Sequence, residues 1–260
     1  HLWSTNYVRD LSDFFKVQSE VAQAIAAEIR IQLTPQDQRR LAGARRIVPD
    51  AVEAYLQGPH QWNRRAPEAL RKAIELFQKS IQLDPGFALG HAGLADAYCI
   101  APDMIDLPSD DSYGKARAAS VRALELDDQL AESHVSLGFL LANVDWKWRE
   151  AETHFLQAIA LNPAYPPAHY WYAYQLLVKQ GRTNEALVQA QMALNLDPAA
   201  STTRGHYAMV LIAAGRHEEA IRQARLILEL EPEFIQANWT LLRAYVGFAR
   251  YSEAIEAGER

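Results

Sequence analysis

Three histidines, His91, His134 and His169, occupy equivalent places in successive segments of the sequence and could together bind a metal ion. Imidazole is a common ligand of zinc, so a ladder of metal sites is one interpretation. Equivalent positions on stacked helices, however, are separated by on the order of 10 Å. Each zinc ligand must lie about 2 Å from the ion. One ion cannot join all three side chains, and we expect them to pack within the fold instead.

Other candidates for chemistry also have structural explanations. Glu218 and Glu219 follow His217 and could act as an acid–base group, but acidic residues also stabilise the first turn of a helix. A group of aspartates lacks the spacing and turn glycine of a calcium loop and is predicted to lie in a solvated loop: Asp103, Asp106, Asp110 and Asp111. The sequence contains no nucleotide-binding glycine loop, zinc-protease motif or nucleophile elbow. We therefore predict no enzyme activity, no cofactor and no metal site.

A periodic alanine indicates which elements must position these side chains. The recurrent residues are Ala73, Ala116, Ala151, Ala186, Ala220 and Ala254. Their spacing is 43 residues once and then 34 or 35 residues, which is typical of a stack of one repeated unit. A proline or aspartate follows each of the first five alanines after twelve residues and ends a helix. Each unit is therefore predicted to be two helices joined by short turns.

The pattern resembles the tetratricopeptide repeat, a helix-turn-helix unit of about 34 residues. The matching residues are Leu137-Gly138, Tyr98, Tyr245, Phe77, Phe155, Ala123, Ala158 and Ala193. The resemblance implies an all-α fold, a tetratricopeptide α-solenoid in the form of a right-handed superhelix. About five and a half repeats are predicted, at 51–85, 88–128, 131–163, 166–198, 201–232 and 235–260. The letters NRRAP lengthen the turn of the first unit, and about nine additional residues lengthen the second.

Residues 1–48 do not follow the repeat and are predicted to be the end of an α/β domain with a linker helix. HLWSTNYV indicates a strand, and apolar residues recur at helical spacing from Leu11 to Leu33. The stretch from Leu2 to Ala22 is similar to the end of the TolB amino-terminal-like domain, which precedes tetratricopeptide arrays in bacterial signalling proteins. That resemblance implies an upstream effector, such as a winged-helix domain of the CadC type, a nucleotide cyclase or a protein kinase.

Composition restricts the partners. Hydrophobic residues make up 49% and charged residues 22% of the chain, and no apolar run is long enough to span a bilayer. The net charge of -6 argues against direct nucleic-acid binding. A basic cluster could form a nucleic-acid or lipid patch, but we expect a solvated face: Arg39, Arg40, Arg45, Arg46, Arg64, Arg65, Arg71 and Lys72. We predict a cytoplasmic location, or a periplasmic one if an upstream membrane anchor exists.

The resemblance also implies a concave groove lined by the first helix of each unit. The groove residues carried over are Asp96, Cys99, Val135, Phe139, Asn143, Tyr170, Tyr174, Leu177, Met209, Trp239 and Arg243. Aromatic side chains on a concave wall are typical anchors for a bound peptide or helix. The alternative is that neighbouring units, or the stretch from Ala101 to Ser112, cover these side chains.

We interpret the chain as a non-catalytic protein-interaction and sensor module of a bacterial signalling or transcription-regulatory protein. It is expected to bind a protein or peptide in the groove. Two alternatives remain open: the regulatory arm of an enzyme such as a nucleotide cyclase, and a scaffold that joins copies of itself. The last predicted helix exposes an apolar face, which predicts either a homodimer through the ends of the array or fraying of that helix.

Overall fold

The computed structural model describes residues 48–258, and these form a continuous series of helices. Twelve α-helices follow one another: α1 Pro49–Asn63, α2 Pro67–Leu83, α3 Ala88–Met104, α4 Ser109–Leu126, α5 Ala131–Asn143, α6 Trp148–Leu161, α7 Pro166–Trp171, α8 Thr183–Leu196, α9 Ser201–Ala213, α10 His217–Leu230, α11 Ile235–Gly247 and α12 Tyr251–Gly258. A π-helical segment, Tyr172–Leu177, continues α7. No strand occurs between residues 48 and 258. The predicted all-α solenoid is confirmed, whereas the strand and helices predicted upstream lie outside the described residues.

Successive helices pair as hairpins, from α1–α2 in the first unit to α11–α12 in the sixth. The segments predicted to end the second helices form tight turns. In these turns a side-chain oxygen accepts a hydrogen bond from the backbone N–H two residues later in the chain. Asp84 Oδ1 accepts from Gly86 at 3.1 Å, Asp127 Oδ1 from Gln129 at 3.0 Å, and Asn162 Oδ1 from Ala164 at 3.2 Å. Each such turn reverses the chain into the first helix of the next unit.

The recurrent alanine of each unit lies where two helices are in closest contact. Its side chain is fully buried in the second helix of five units, at Ala73, Ala116, Ala151, Ala186 and Ala220, and 3% exposed at Ala254. The facing helix also carries small residues. A Cβ atom added at Gly138 would lie 3.0 Å from the ring of Phe155. Because short side chains let the axes approach, this repeated crossing fixes the geometry of every hairpin.

The additional residues of the second unit lengthen its helices. Asp103 lies in the last turn of α3, and Asp110 and Asp111 lie in the first turn of α4. The prediction that these aspartates occupy a loop is therefore wrong for three of the four, and only Asp106 lies between the helices. Carboxylates in a first turn are stabilised by the free N–H groups of the helix.

The turn of the first unit reaches across the concave face of the solenoid. Trp62, near the end of α1, lies with its ring 6.4 Å from that of Trp171 in α7. Thr202 of α9 donates a hydrogen bond of 3.4 Å to Asn63 Oδ1, although 139 residues separate the two in sequence. The first unit therefore contacts the fourth and fifth directly. The last residue of α1 and the three residues after it, 63–66, which we call the unit-1 turn, fill part of the concave face.

Candidate functional site

An open pocket of about 450 Å³ lies on the concave face beside the unit-1 turn. We call it the Arg65 pocket, and its walls come from the unit-1 turn, α3, the π-helical segment, α9 and α11. Its lining residues are Arg65, Ile100, Asp103, Met104, Tyr174, Gln175, His206, Met209, Ile235, Gln236, Trp239 and Arg243. Trp239 is 57% exposed at this surface, and Arg243 donates a hydrogen bond of 3.3 Å to the Tyr174 hydroxyl.

Arg65 is the buried cation of this pocket. Only 7% of the residue is exposed, and its guanidinium lies 3.7 Å from the centroid of the Trp62 ring. Its Nε and Nη2 atoms are enclosed without a hydrogen-bond partner. Burial lowers the pKa of Arg65 from its usual value, while the nearby Tyr170 and Asp96 oppose that change. Its φ of 50° lies in the left-handed region, as do those of Trp146 and Ala249, each of which also stands two residues before the second helix of its unit.

His206 forms a rigid part of the same wall. Its ring stacks on Tyr170 with a centroid distance of 4.2 Å, and its Nδ1 donates to the Thr202 carbonyl at 2.8 Å. Burial, together with the positive charge of Arg65, lowers the pKa of His206 to about 3. The imidazole is therefore neutral near neutral pH and offers Nε2 as an acceptor.

A second, narrower cavity of about 230 Å³, the Asp96 cleft, lies beside Tyr55, Trp62, Tyr165 and Tyr170. Burial raises the pKa of Asp96 to about 7, although a hydrogen bond from the Ser136 hydroxyl opposes the rise. At neutral pH a large fraction of this carboxyl is therefore protonated. A further hollow of about 400 Å³ lies between α10, α11 and α12, at the other end of the array.

The structure places the predicted groove residues in several different surroundings. Cys99, Val135, Phe139, Tyr170 and Leu177 are each at most 5% exposed, because they belong to the hydrophobic core. The Nδ2 atom of Asn143 donates a hydrogen bond to the Phe139 carbonyl oxygen, and its Oδ1 atom accepts a hydrogen bond from the Lys179 ammonium group. Asp96 and Tyr170 line the Asp96 cleft. Four predicted residues line the Arg65 pocket, namely Tyr174, Met209, Trp239 and Arg243.

Arg65 is not among the site residues predicted from the sequence. It was expected on a solvated face with its basic neighbours, and this expectation is wrong because the residue is buried; Arg64, beside it, is exposed. The sequence feature that could have pointed to Arg65 is the lengthened turn directly after Trp62. A long turn can reach across a concave face, but its sequence does not reveal which surface it will contact.

The three equivalent histidines take part in hydrogen bonds within the fold. His91 and His169 each bond the carbonyl six residues earlier, of Pro85 and Pro163, at 3.0 Å. His134 bonds His154 with Nδ1 atoms 2.9 Å apart. Within residues 48–258, no group of three His, Cys, Asp or Glu side chains could hold a metal ion.

The remaining candidates lie on the surface. Glu219, in the first turn of α10, pairs with Arg216. Tyr251 and Ile255 of α12 are 64% and 63% exposed. Among the described helices, none is long and apolar enough to cross a membrane.

Comparison with known proteins identifies similar sequences and folds. A family model described as "Tetratricopeptide repeat" matches residues 154–188, from α6 into α8. Transcriptional regulator HilA of Salmonella typhimurium is 27% identical over 149 residues, which are 57% of this chain and 27% of HilA. Putative adenylate cyclase 3 of Rhizobium meliloti is 26% identical over 145 residues, 55% of this chain and 24% of that protein. The chain thus spans about a quarter of the length of each relative.

A solved structure has the same arrangement of helices. TTC0263, a tetratricopeptide-repeat protein of Thermus thermophilus, superimposes with a TM-score of 0.55. The match has 16% sequence identity and covers 79% of this chain and 98% of TTC0263. At this identity the match concerns the fold alone.

Proposed function

We propose that this chain, which folds as a tetratricopeptide-repeat array, is a non-catalytic interaction module that binds a peptide segment in the Arg65 pocket. The observation that carries the proposal is Trp239, a tryptophan 57% exposed beside an open concave pocket. Large exposed aromatic side chains are costly in water and are enriched at the centre of binding sites. Ile235, which is 46% exposed, and Tyr174 line the same pocket, so a bound segment would bury further apolar surface there.

The module acts, in this proposal, as the sensing arm of a bacterial signalling protein. One relative is named as a transcriptional regulator and another as a putative adenylate cyclase, in keeping with two of the three effector types expected from the sequence. Both kinds of signalling protein would use the array to bind a ligand. The response to that binding would depend on the effector domain joined to the array. A cytoplasmic location stays a prediction of the sequence.

Selection from a random dodecapeptide library displayed on phage tests the proposal on the full chain. Binding of the enriched peptides is then measured by fluorescence anisotropy on the parent, on Trp239→Ala and on Trp146→Ala. Trp146 is the matched control because it is 73% exposed in the turn between α5 and α6, away from the pocket.

We expect Trp239→Ala to weaken binding by about 30-fold or more, the loss typical of a truncated aromatic hot spot. Trp146→Ala should bind as the parent does. Failure to enrich any peptide, or equal binding by Trp239→Ala and the parent, would contradict the proposed function.

A further inference from the structure

The Asp96 cleft is lined by carboxylates and by no cationic side chain. Asp96 of α3, Glu132 of α5 and Asp197, directly after α8, all contribute to its wall. Among the described residues that form this wall there is no lysine, arginine or histidine. The neighbouring Arg65 pocket has the opposite character, since Arg65 and Arg243 both line it. The cleft is therefore a place of negative charge on the concave face.

The charges of Asp96 and Glu132 are not balanced within the fold. Neither carboxylate forms an ion pair within residues 48–258, and both residues keep part of their surface exposed where they line the cleft. Burial raises the pKa of each, and the charge of Glu132 raises the pKa of Asp96 by more than the charge of Arg65 lowers it. Arg65 therefore does not neutralise the pair, and a cation in the cleft would be attracted by both carboxylates.

Aromatic rings form much of the remaining wall. Tyr55 and Tyr165 are partly exposed there. The ring of Tyr55 is held in place, because it packs edge-on against Phe87 at a centroid distance of 5.5 Å and lies 5.9 Å from Phe77. The two carboxylates raise the pKa of both tyrosines, so these rings lie close to the same negative charges. Aromatic rings attract cations, and cages of such rings bind alkylated ammonium groups.

The size of the cleft restricts the cation to a small organic one. Its volume of about 230 Å³ is below the roughly 300–1,000 Å³ of sites for drug-sized ligands. In the part of the chain that the structure describes, no three His, Cys, Asp or Glu side chains are placed to hold a metal ion. An alkyl ammonium group is small enough, and Pro59 and Pro166 offer apolar surface to its carbon atoms.

We propose that the Asp96 cleft binds an organic ammonium group, whose charge pairs with the carboxylates of Asp96 and Glu132 and whose carbon atoms contact Tyr55 and Tyr165. The inference does not rest on the proposed peptide site, because no residue lines both the cleft and the Arg65 pocket. The ammonium group could belong to a lysine side chain of a protein segment or to a free small amine.

The test compares charged and neutral probes on the isotope-labelled full chain, with binding followed by NMR titration. The free amine is butylammonium, and 1-butanol is its neutral counterpart. The lysine probe is Nα-acetyl-lysine N-methylamide, and the corresponding norleucine compound is its neutral counterpart. Each probe is titrated into the parent, Asp96→Asn, Glu132→Gln and Asp106→Asn. Asp106→Asn is the matched control because it makes the same change at an exposed carboxylate between α3 and α4.

We expect Asp96→Asn and Glu132→Gln each to weaken binding of an ammonium probe by about tenfold or more, because one of two charge-assisted contacts is lost. Asp106→Asn should bind as the parent does, and the neutral probes should not distinguish the proteins. Tighter binding of the lysine probe than of butylammonium identifies a protein segment as the source of the group. Equal or weaker binding of the lysine probe identifies a free amine, and both outcomes support the inference.

The pH provides a second readout, which a merely structural role of Asp96 would not change. Butylammonium stays charged up to about pH 9, whereas Asp96, with a pKa of about 7, must release its proton to pair with it. The affinity of the parent should therefore fall by about tenfold between about pH 8 and about pH 5.5, and Asp96→Asn should lose this dependence.

The inference is overturned if neither ammonium probe binds saturably, or if the folded Asp96→Asn and Glu132→Gln variants bind both probes as the parent does. The NMR spectrum of each unliganded variant shows whether it is folded, and one folded variant is sufficient for the comparison. Peptide binding in the Arg65 pocket is measured separately through Trp239→Ala, so failure of this inference leaves the proposed function standing.

Discussion

The stability of the array should depend on pH through Asp96, and Asp96→Asn should remove that dependence. Burial raises the pKa of Asp96 from 3.8 to about 7, so the folded chain binds a proton that the unfolded chain releases. The contribution to stability is fully present below the unfolded pKa and is lost as the pH rises towards the folded pKa. Because one pKa unit corresponds to about 1.4 kcal/mol, the upper limit of the loss is about 4 kcal/mol.

We expect about half of that limit, roughly 2 kcal/mol, because the carboxyl lies in a cleft that solvent can still reach and is partly screened. Asparagine keeps the oxygen that accepts from the Ser136 hydroxyl and carries no charge at any pH. The difference in unfolding free energy, parent minus Asp96→Asn, should therefore fall by roughly 2 kcal/mol between about pH 4.5 and about pH 7.5.

Urea unfolding at a series of pH values measures this difference. His206 acts in the opposite direction, because its pKa is lowered to about 3 and its contribution is lost as the pH falls through the unfolded value of 6.5. That contribution is common to both proteins and cancels in the comparison. Asp106→Asn, which changes an exposed carboxylate between α3 and α4, is the control. A difference that stays flat with pH, or that rises, would refute the reasoning.

Two further predictions concern packing. Gly93→Ala in α3 should lower the unfolding free energy by about 1–3 kcal/mol through overpacking, since its Cβ would lie 2.4 Å from the Phe77 ring. Gly114→Ala in α4 meets no atom within 4 Å and should raise it by up to about 1 kcal/mol; equal effects in urea unfolding would contradict the close packing at Phe77. If the ends of the array associate, replacing the exposed Ile255 by Glu should shift the full chain from dimer to monomer in sedimentation equilibrium, and an unchanged mass would count against that surface.

The repeat and its helices could be predicted from the sequence because their determinants are local. Each hairpin needs a small residue at the position of Ala151 and an aromatic or apolar residue at that of Phe155 in order to pack. The repeat is therefore visible in the amino-acid sequence itself. Resemblance to the tetratricopeptide repeat followed from the same positions and is confirmed by the family match and by similar folds.

The pocket could be predicted only in part, because it depends on a contact between distant units. Tyr174 and Trp239 were identified from their places in the repeat, and both line the Arg65 pocket. Tyr170 occupies an equivalent place, yet it is 1% exposed and lies among the groups beside Arg65. The repeat pattern does not predict where the unit-1 turn lies, because the sequence of this turn departs from the repeat. The burial of Arg65 therefore required the three-dimensional structure.

The most direct test of the central claim, that the Arg65 pocket holds the ligand, is the NMR signal of the Trp239 indole N–H group. The full chain is prepared with isotope-labelled tryptophan, and the signal is assigned from its absence in Trp239→Ala. With the enriched peptide at a saturating concentration, we predict that this signal shifts, because Trp239 is 57% exposed at the pocket and the ligand would cover it. The signal of Trp146 should stay in place. A saturated complex in which the Trp239 signal is unchanged would contradict the account.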